Sequence, residues 1–340
     1  MTRRNREPGS KPMNRRTMLA LPLALGAAAG WPGPGRAQGV YPDRPIRLLI
    51  GFAAGGPTDI VGRRFAERLG AVLGQPVVVE NRSGASGSVG AIEVARARPD
   101  GYTLLLTTPS AHAIFPQIAV RPGYDPLADF TPIGLVAIAP VVFAAHPSFP
   151  ARDLPAMMDL VRARPGAFSF GSGGAGTITH FGMELFMRQA GGLRLEHVPY
   201  RGAGPAVQDC VAGHIPLVVD TFAPMIEHHR TGRLRILAVL AEQRSAVAPD
   251  VPTAVEHGVP GAVANTYNAL VGPAGMAEAT VAALGRATRE ATETDEFRTF
   301  LRAISAEPVS GMTPERTAAY IRSEYAKWTP IIQASGLRIE

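Results

Sequence analysis

Ile46-Arg47-Leu48-Leu49-Ile50-Gly51-Phe52 runs straight into Ala53-Ala54-Gly55-Gly56-Pro57-Thr58-Asp59, and this junction decides the fold. The apolar run has the length of a buried strand, the loop is nearly free of side chains, and apolar residues then recur three and four apart from Ile60 to Leu73. A strand, a bare loop and a helix N-terminus form an anion cradle, because backbone N–H groups face the ligand and the helix dipole favours negative charge. About 120 residues later the pattern returns: Phe168 to Phe170 leads into Gly171-Ser172-Gly173-Gly174-Ala175-Gly176-Thr177 and a second helical spacing. Two cradles of one kind imply two lobes sharing one small anionic ligand.

Strand-like and helix-like segments alternate on either side of these loops. Val77 to Glu80 and Tyr102 to Thr107 read as strands, with Val89 to Ala97 between them as a helix. After the second loop come helix-like Thr177 to Ala190, strand-like Leu193 to Val198, helix-like Gly204 to Ala212, and strand-like Leu217 to Thr221 and Leu234 to Leu240. Such alternation predicts an α/β fold with parallel sheets covered by helices. Ile133 to Ala145, interrupted by Pro140, and Tyr267 to Gly272 are extended runs placed where the chain must change lobes. They predict a first lobe of residues 38–140 plus 268–340 and a second of 141–267, joined as a clamshell with the ligand in the cleft. Thr313-Pro314 opens a final helical pattern, running to Ile332, expected on the first lobe.

Residues 1–37 read as an export signal. Arg15-Arg16 precedes an apolar stretch from Leu19 to Trp31, and Gly35-Arg36-Ala37 offers a small-residue cleavage site. The twin-arginine and the general secretory routes both remain open, and Met13 would serve as a start equally well. The signal also carries the charge excess. Of 34 basic and 28 acidic residues, seven basic and one acidic lie before residue 38, which leaves 27 of each and no case for a nucleic-acid partner. The 303 residues that remain suit two domains. Cys210 has no partner for a disulfide, and its spacing with Val207 and Val211 makes it a core residue.

Six blocks then occur in order: Tyr41-Pro42-Asp43-Arg44-Pro45-Ile46, the loop from Phe52 to Asp59, Val79-Glu80-Asn81-Arg82, Pro99-Asp100-Gly101-Tyr102-Thr103-Leu104-Leu105, His197-Val198-Pro199-Tyr200-Arg201-Gly202 and Pro249-Asp250-Val251-Pro252-Thr253. Together they resemble the tripartite tricarboxylate transporter substrate-binding proteins, the Bug family, over essentially the whole chain after the signal. The resemblance implies a periplasmic-binding-protein-like clamshell, a monomer without metal or cofactor. It would bind a small carboxylate (a di- or tricarboxylate, an acidic amino acid or an aromatic acid) and deliver it to large and small integral-membrane transporter subunits. Carried over by position, the ligand-binding residues are Ala54, Gly55, Gly56, Thr58 and Asp59, then Ser172, Gly174, Ala175, Gly176 and Thr177, with Thr108 and Ser110 from a third loop and Asp220 and Thr221 from a fourth. Ala54 stands where the family usually has Pro, and Ala175 and Thr221 where Asn is common. These departures alter the wall that reads the rest of the solute.

The residues also allow other functions. Gly171, Gly173 and Gly176 satisfy G-x-G-x-x-G, and Glu196 follows by 20 residues, so an NAD(P)-dependent oxidoreductase is the alternative. A solute sensor feeding a signalling receptor is another. No Gly-x-Ser-x-Gly, paired-Cys or His-Glu-x-x-His pattern occurs, and no residue is expected to be catalytic. His180 is expected to hydrogen-bond its loop. Asp59 is expected to accept backbone N–H groups at the helix start, and for Asp220 fixation of a loop or of water comes first. An amino or hydroxyl group on the solute is the sharper role for either carboxylate. The Ser83-Gly84-Ala85-Ser86-Gly87-Ser88 stretch is expected at the cleft rim.

Overall fold

The computed structural model describes residues 41–340. The export signal expected over 1–37 lies outside the described residues. In chain order the elements are β1 (Ile46–Ile50), α1 (Pro57–Leu73), β2 (Val77–Asn81), α2 (Ser88–Ala95), β3 (Thr103–Thr107), α3 (Phe115–Ile118) and β4 (Phe130–Ala145). Next come α4 (Leu154–Ala163), β5 (Ser169–Ser172), α5 (Ile178–Gln189), β6 (Glu196–Pro199), α6 (Ala203–Val211), β7 (Leu217–Thr221), α7 (Ile226–Arg230) and β8 (Arg235–Val239). The chain closes with β9 (Asn265–Pro273), α8 (Glu278–Thr292), α9 (Asp295–Ala303), β10 (Glu307–Pro308) and α10 (Pro314–Ser335).

One curled sheet runs β2-β1-β3-β9-β4-β7-β5-β6, with β8 and β10 also paired to β4. Its two wings, β2-β1-β3 and β7-β5-β6, are parallel, whereas β4, β9 and β8 run antiparallel to their neighbours. β4 belongs to both halves. It pairs with β9 from Phe130↔Pro273 to Pro140↔Asn265, then changes partners at Val141, which pairs with Thr221 of β7. Pro140 has no N–H to give a ladder, so the change of partners falls where one bond is missing in any case. The Val141 N–H bonds the Ala264 carbonyl, and the Leu240 N–H bonds Val141 (2.9 and 2.8 Å), which stitches the crossing strands together.

The inner strands of each half are buried on both faces, which is why β1, β3 and β7 are apolar almost throughout, whereas the edge strands β2 and β6 stay half-exposed. Leu48 and Ile50 face Phe65, Leu284, Phe297 and Leu301 of α1, α8 and α9; Leu49 turns the other way, towards Ala91 and Val94 of α2. In the second half Phe170 and Val219 pack on Met157, Phe181 and Phe186, while Val218 packs on Val207, Cys210 and Phe222. Cys210 is fully buried, and burial pushes its thiol up to about 12, so it is the core residue its spacing predicts.

The last helix departs from expectation. Thr313 caps α10 by accepting the Arg316 N–H, but the helix does not stay on the first half. Ile321 packs with Tyr267 and Val271, whereas Trp328 and Ile332, two turns or more further on, join the core around Phe181 and Phe186. At 1.5 Å per residue a helix this long outreaches a single lobe. The buried Trp328 indole also donates to Glu324 Oε2 at 3.2 Å. Trp328→Ala should therefore lower unfolding free energy by about 3–5 kcal/mol in urea titration, the cost of an emptied aromatic site.

Candidate functional site

The parallel pairing of β1 with β3 puts the loops that follow them on one edge, and β5 with β7 does the same in the other half. The loop after β1 is held from below by one carboxylate. Asp59, 2% exposed, accepts the Gly55 N–H (2.8 Å) and Arg63 Nε (2.9 Å) on Oδ2, and Asn81 Nδ2 (2.8 Å) on Oδ1. Asn81 Nδ2 also donates to the Phe52 carbonyl, and Arg63 Nη2 donates to Asn81 Oδ1. Burial would raise the Asp59 carboxyl; the Arg63 guanidinium and the Gly55 and Asn81 amides outweigh it and hold it below the usual carboxylate range. The side chain therefore fixes the loop and does not cap the helix as expected: the N-cap is Gly56, without a side-chain cap, and the one backbone N–H that Asp59 accepts, from Gly55, lies before α1.

Two expected donors are removed by this arrangement. The Gly55 amide is spent on Asp59 and the Gly56 amide bonds the Ala53 carbonyl at 3.3 Å, so these glycines shape the turn and do not offer N–H groups to a ligand. Gly55 supplies its positive φ (+79°), a conformation costly for other residues. The N–H groups of Ala54, Thr58 and Asp59 find no acceptor among the described residues.

The second glycine loop is still more self-contained. Ser172 Oγ meets His197 Nε2 at 2.7 Å and accepts the Gly174 N–H at 3.2 Å; Thr177 Oγ1 donates to the Gly174 carbonyl at 2.7 Å. The Gly173 N–H goes to Thr179 Oγ1, and the Gly176 N–H to His180 Nδ1 at 3.3 Å, the loop-bonding role expected of His180. The Thr177 amide turns back to Gly174. Thr177 is the α5 N-cap, bonding the His180 N–H. Ser172, Gly174, Gly176 and Thr177, all expected to face the ligand with polar groups, thus find partners among themselves or in His180 and His197; Ala175 and Thr179 keep amides without a partner among the described residues.

The two halves touch through their loops. Ser110 Oγ, in the third loop, accepts the Ile178 N–H at 3.0 Å, capping the first turn of α5 from across the cleft. Ser86 Oγ donates to the Ala175 carbonyl at 3.0 Å. Ser86 holds a left-handed backbone (φ +56°), as does Ala85, and Gly87 lies so close to Gly51 that a Cβ on Gly51 would meet the Gly87 carbonyl at 2.5 Å. The Ser83–Ser88 stretch is thus at the rim, and Ser86 joins the site as a residue the carry-over omitted. Gly176 is equally confined: a Cβ there would lie 2.5 Å from Ile118 Cδ1. Thr108 Oγ1, in the same third loop, is buried without a partner among the described residues. His112 sets that loop's shape; burial pushes its imidazole down to about 4, against the pull of the Pro126 carbonyl, and the ring meets Thr107 Oγ1 at 3.3 Å. At the end of β7, Asp220 Oδ1 accepts the Thr221 N–H at 2.7 Å and Thr221 Oγ1 at 3.3 Å.

Asn81, Arg63 and His197 also escaped the expected site. Two of them lie inside the quoted blocks, but only the folded chain shows what they support. Glu196 goes the other way. It opens β6, paired with Ser169 at the start of β5, so it stands at the strand end remote from the glycine loop. A ribose-binding acid must sit on the loop's side of the sheet, and three residues of strand put Glu196 about 10 Å short. The dinucleotide fingerprint therefore lacks its acid.

His197 and His180 stack at 3.8 Å between ring centroids, only 9° from parallel, with Phe170 beside His197. Burial, with the neighbouring His180, pushes the His197 imidazole from its ordinary 6.5 down to about 3. A histidine kept neutral in the fold contributes stability that is full above 6.5 and lost as the pH falls towards 3. Unfolding free energy should fall between pH 6.5 and 4, and His197→Gln, measured by urea unfolding across that window, should show a shallower decline.

Residues 61–337 match the family described as "Tripartite tricarboxylate transporter family receptor". The chain is 34% identical over 330 residues to the protein BugT of Bordetella pertussis, a match covering 96% of this chain and 100% of the relative. Among solved structures it is similar to an R. palustris protein with adipate (TM-score 0.82, 31% identity, 88% of this chain and 99% of the other). It is also similar to MatC from R. palustris with bound malate (TM-score 0.80, 31% identity, 86% and 100%).

Proposed function

Since the chain belongs to the tripartite tricarboxylate transporter receptor family, we propose that it is an exported, periplasmic, monomeric receptor that captures a small carboxylate and hands it to integral-membrane transporter subunits. The observation that carries this is the closure of two loop-bearing sheet halves on each other, Ser110 to Ile178 and Ser86 to Ala175, around amides left without partners at Ala54, Thr58, Asp59, Ala175 and Thr179. The buried Thr108 hydroxyl adds a further donor in the third loop. Unspent N–H groups at two helix starts are what a carboxylate requires. Adipate and malate in the similar R. palustris structures support the same solute class.

Each charge-assisted hydrogen bond contributes about 1.5–3 kcal/mol. Four of them, less the cost of closing the lobes, reach the roughly 8 kcal/mol of a micromolar complex. The lobe division is placed at residues 38–140 plus 268–340 against 141–267, supported by the change of β4 partners at Pro140 and Val141. α10 crosses that division and would couple the lobes. The balance of 27 basic and 27 acidic residues after the signal leaves no net positive charge to attract the anion, so local dipoles would hold it.

Thermal unfolding against di- and tricarboxylates, aromatic acids and NAD(P) tests the proposal. A carboxylate at 100 times its Kd should add about 2.7 kcal/mol of stability, whereas a response to NAD(P) alone would overturn the receptor function. Ser110→Ala removes the acceptor that ties α5 to the opposite half. It should weaken carboxylate binding about tenfold in calorimetric titration, corresponding to about 1.4 kcal/mol.

A further inference from the structure

Asp220, unlike Asp59, has incomplete hydrogen bonding among the described residues. β7 runs parallel to β5 with Phe170↔Leu217 and Gly171↔Val218, so Asp220 comes level with Gly173, inside the second glycine loop. The side chain is 5% exposed. Both of its hydrogen bonds, from the Thr221 N–H and hydroxyl, go to Oδ1; no donor among the described residues reaches Oδ2, and no Arg, Lys or His pairs with it. Asp59, the matching acid of the first loop, has both oxygens occupied by Gly55, Arg63 and Asn81. Burial accordingly pushes the Asp220 carboxyl up to about 6, outweighing the two Thr221 hydrogen bonds that pull it down.

A buried acceptor with one open oxygen beside a carboxylate cradle repels a second solute carboxylate and rewards a donor. We propose that Asp220 Oδ2 accepts a hydrogen bond from a hydroxyl or ammonium group of the solute, making the receptor selective for hydroxy- or aminocarboxylates over carboxylates without a donor. The proposal rests on the carboxylate-receptor function above. Thr221 takes the role of positioning residue, because its amide and hydroxyl both hold Oδ1 and leave Oδ2 without a donor among the described residues. A site built to accept a donor discriminates strongly against the analogue that lacks it, since the acceptor is then left buried and unpaired.

Two matched sets test this by calorimetric titration of the whole protein: succinate, malate and aspartate, and phenylacetate, mandelate and phenylglycine. In whichever set binds, the donor-bearing member should bind at least tenfold more tightly than the bare acid. Asp220→Ala should erase that preference, bringing the affinity ratio between donor-bearing and bare acids to about one, with circular dichroism and thermal unfolding showing that the variant is folded. Asp220→Asn separates the two sources: it retains an acceptor for a hydroxyl but loses the charge that favours an ammonium. A bare acid that binds as tightly as its donor-bearing partners, with ratios unaltered in Asp220→Ala, overturns the role of Asp220 and leaves the receptor function standing. Failure of every carboxylate to bind overturns the receptor function itself.

Discussion

The structure depends on β4, the single strand that both halves of the sheet share. Sixteen residues long, it pairs with β9 along its first part and with β7 and β8 along its last, and the partners change at Pro140 and Val141. Because β1 and β3 on one side and β5 and β7 on the other each run parallel, the four loops expected to hold the ligand emerge at the same kind of strand end. The glycine loops can face each other only because a continuous strand carries the sheet from one half into the other. α10 reinforces the join from outside, with Ile321 in one core and Trp328 in the other.

Within that frame, polar satisfaction decides which groups remain for a solute. Buried backbone N–H groups must find partners, and a loop of Gly, Ser and Thr finds most of them within itself. Asp59 consumes the Gly55 amide, Ser172 the Gly174 amide and His180 the Gly176 amide. The internal bonding holds the loops in one shape, and what it leaves over is what a solute could use. His197 belongs to the same economy: its ring holds Ser172 while stacked on His180, so a residue distant in sequence sets the shape of the second loop.

Much of the architecture was legible before folding. Ile46 to Phe52 and Tyr102 to Thr107 were readable as strands because strands buried on both faces are apolar throughout, and Ile60 to Leu73 as a helix because its buried residues recur at helical spacing. α4, α8 and α9 lie outside the segments that the alternating pattern marked, although each fills a face of a sheet half. The G-x-G-x-x-G pattern misled in the opposite direction. Its glycines answer to steric limits, Gly176 against Ile118 for example, and Glu196 occupies the wrong end of its strand.

The amino-acid sequence by itself determined the α/β alternation, the two glycine loops, the charge balance and the family, because these follow from local periodicity, local composition and ordered blocks. Which amides stay free was decided only by the tertiary structure. An N–H group is spent or unspent according to what the chain brings beside it, and the decisive partners, Asn81 for Asp59, Ser110 for Ile178 and His197 for Ser172, lie between 22 and 68 residues away. The open oxygen of Asp220 has the same origin: its place beside Gly173 comes from the parallel register of β5 and β7, a pairing of strands that no local pattern of residues specifies.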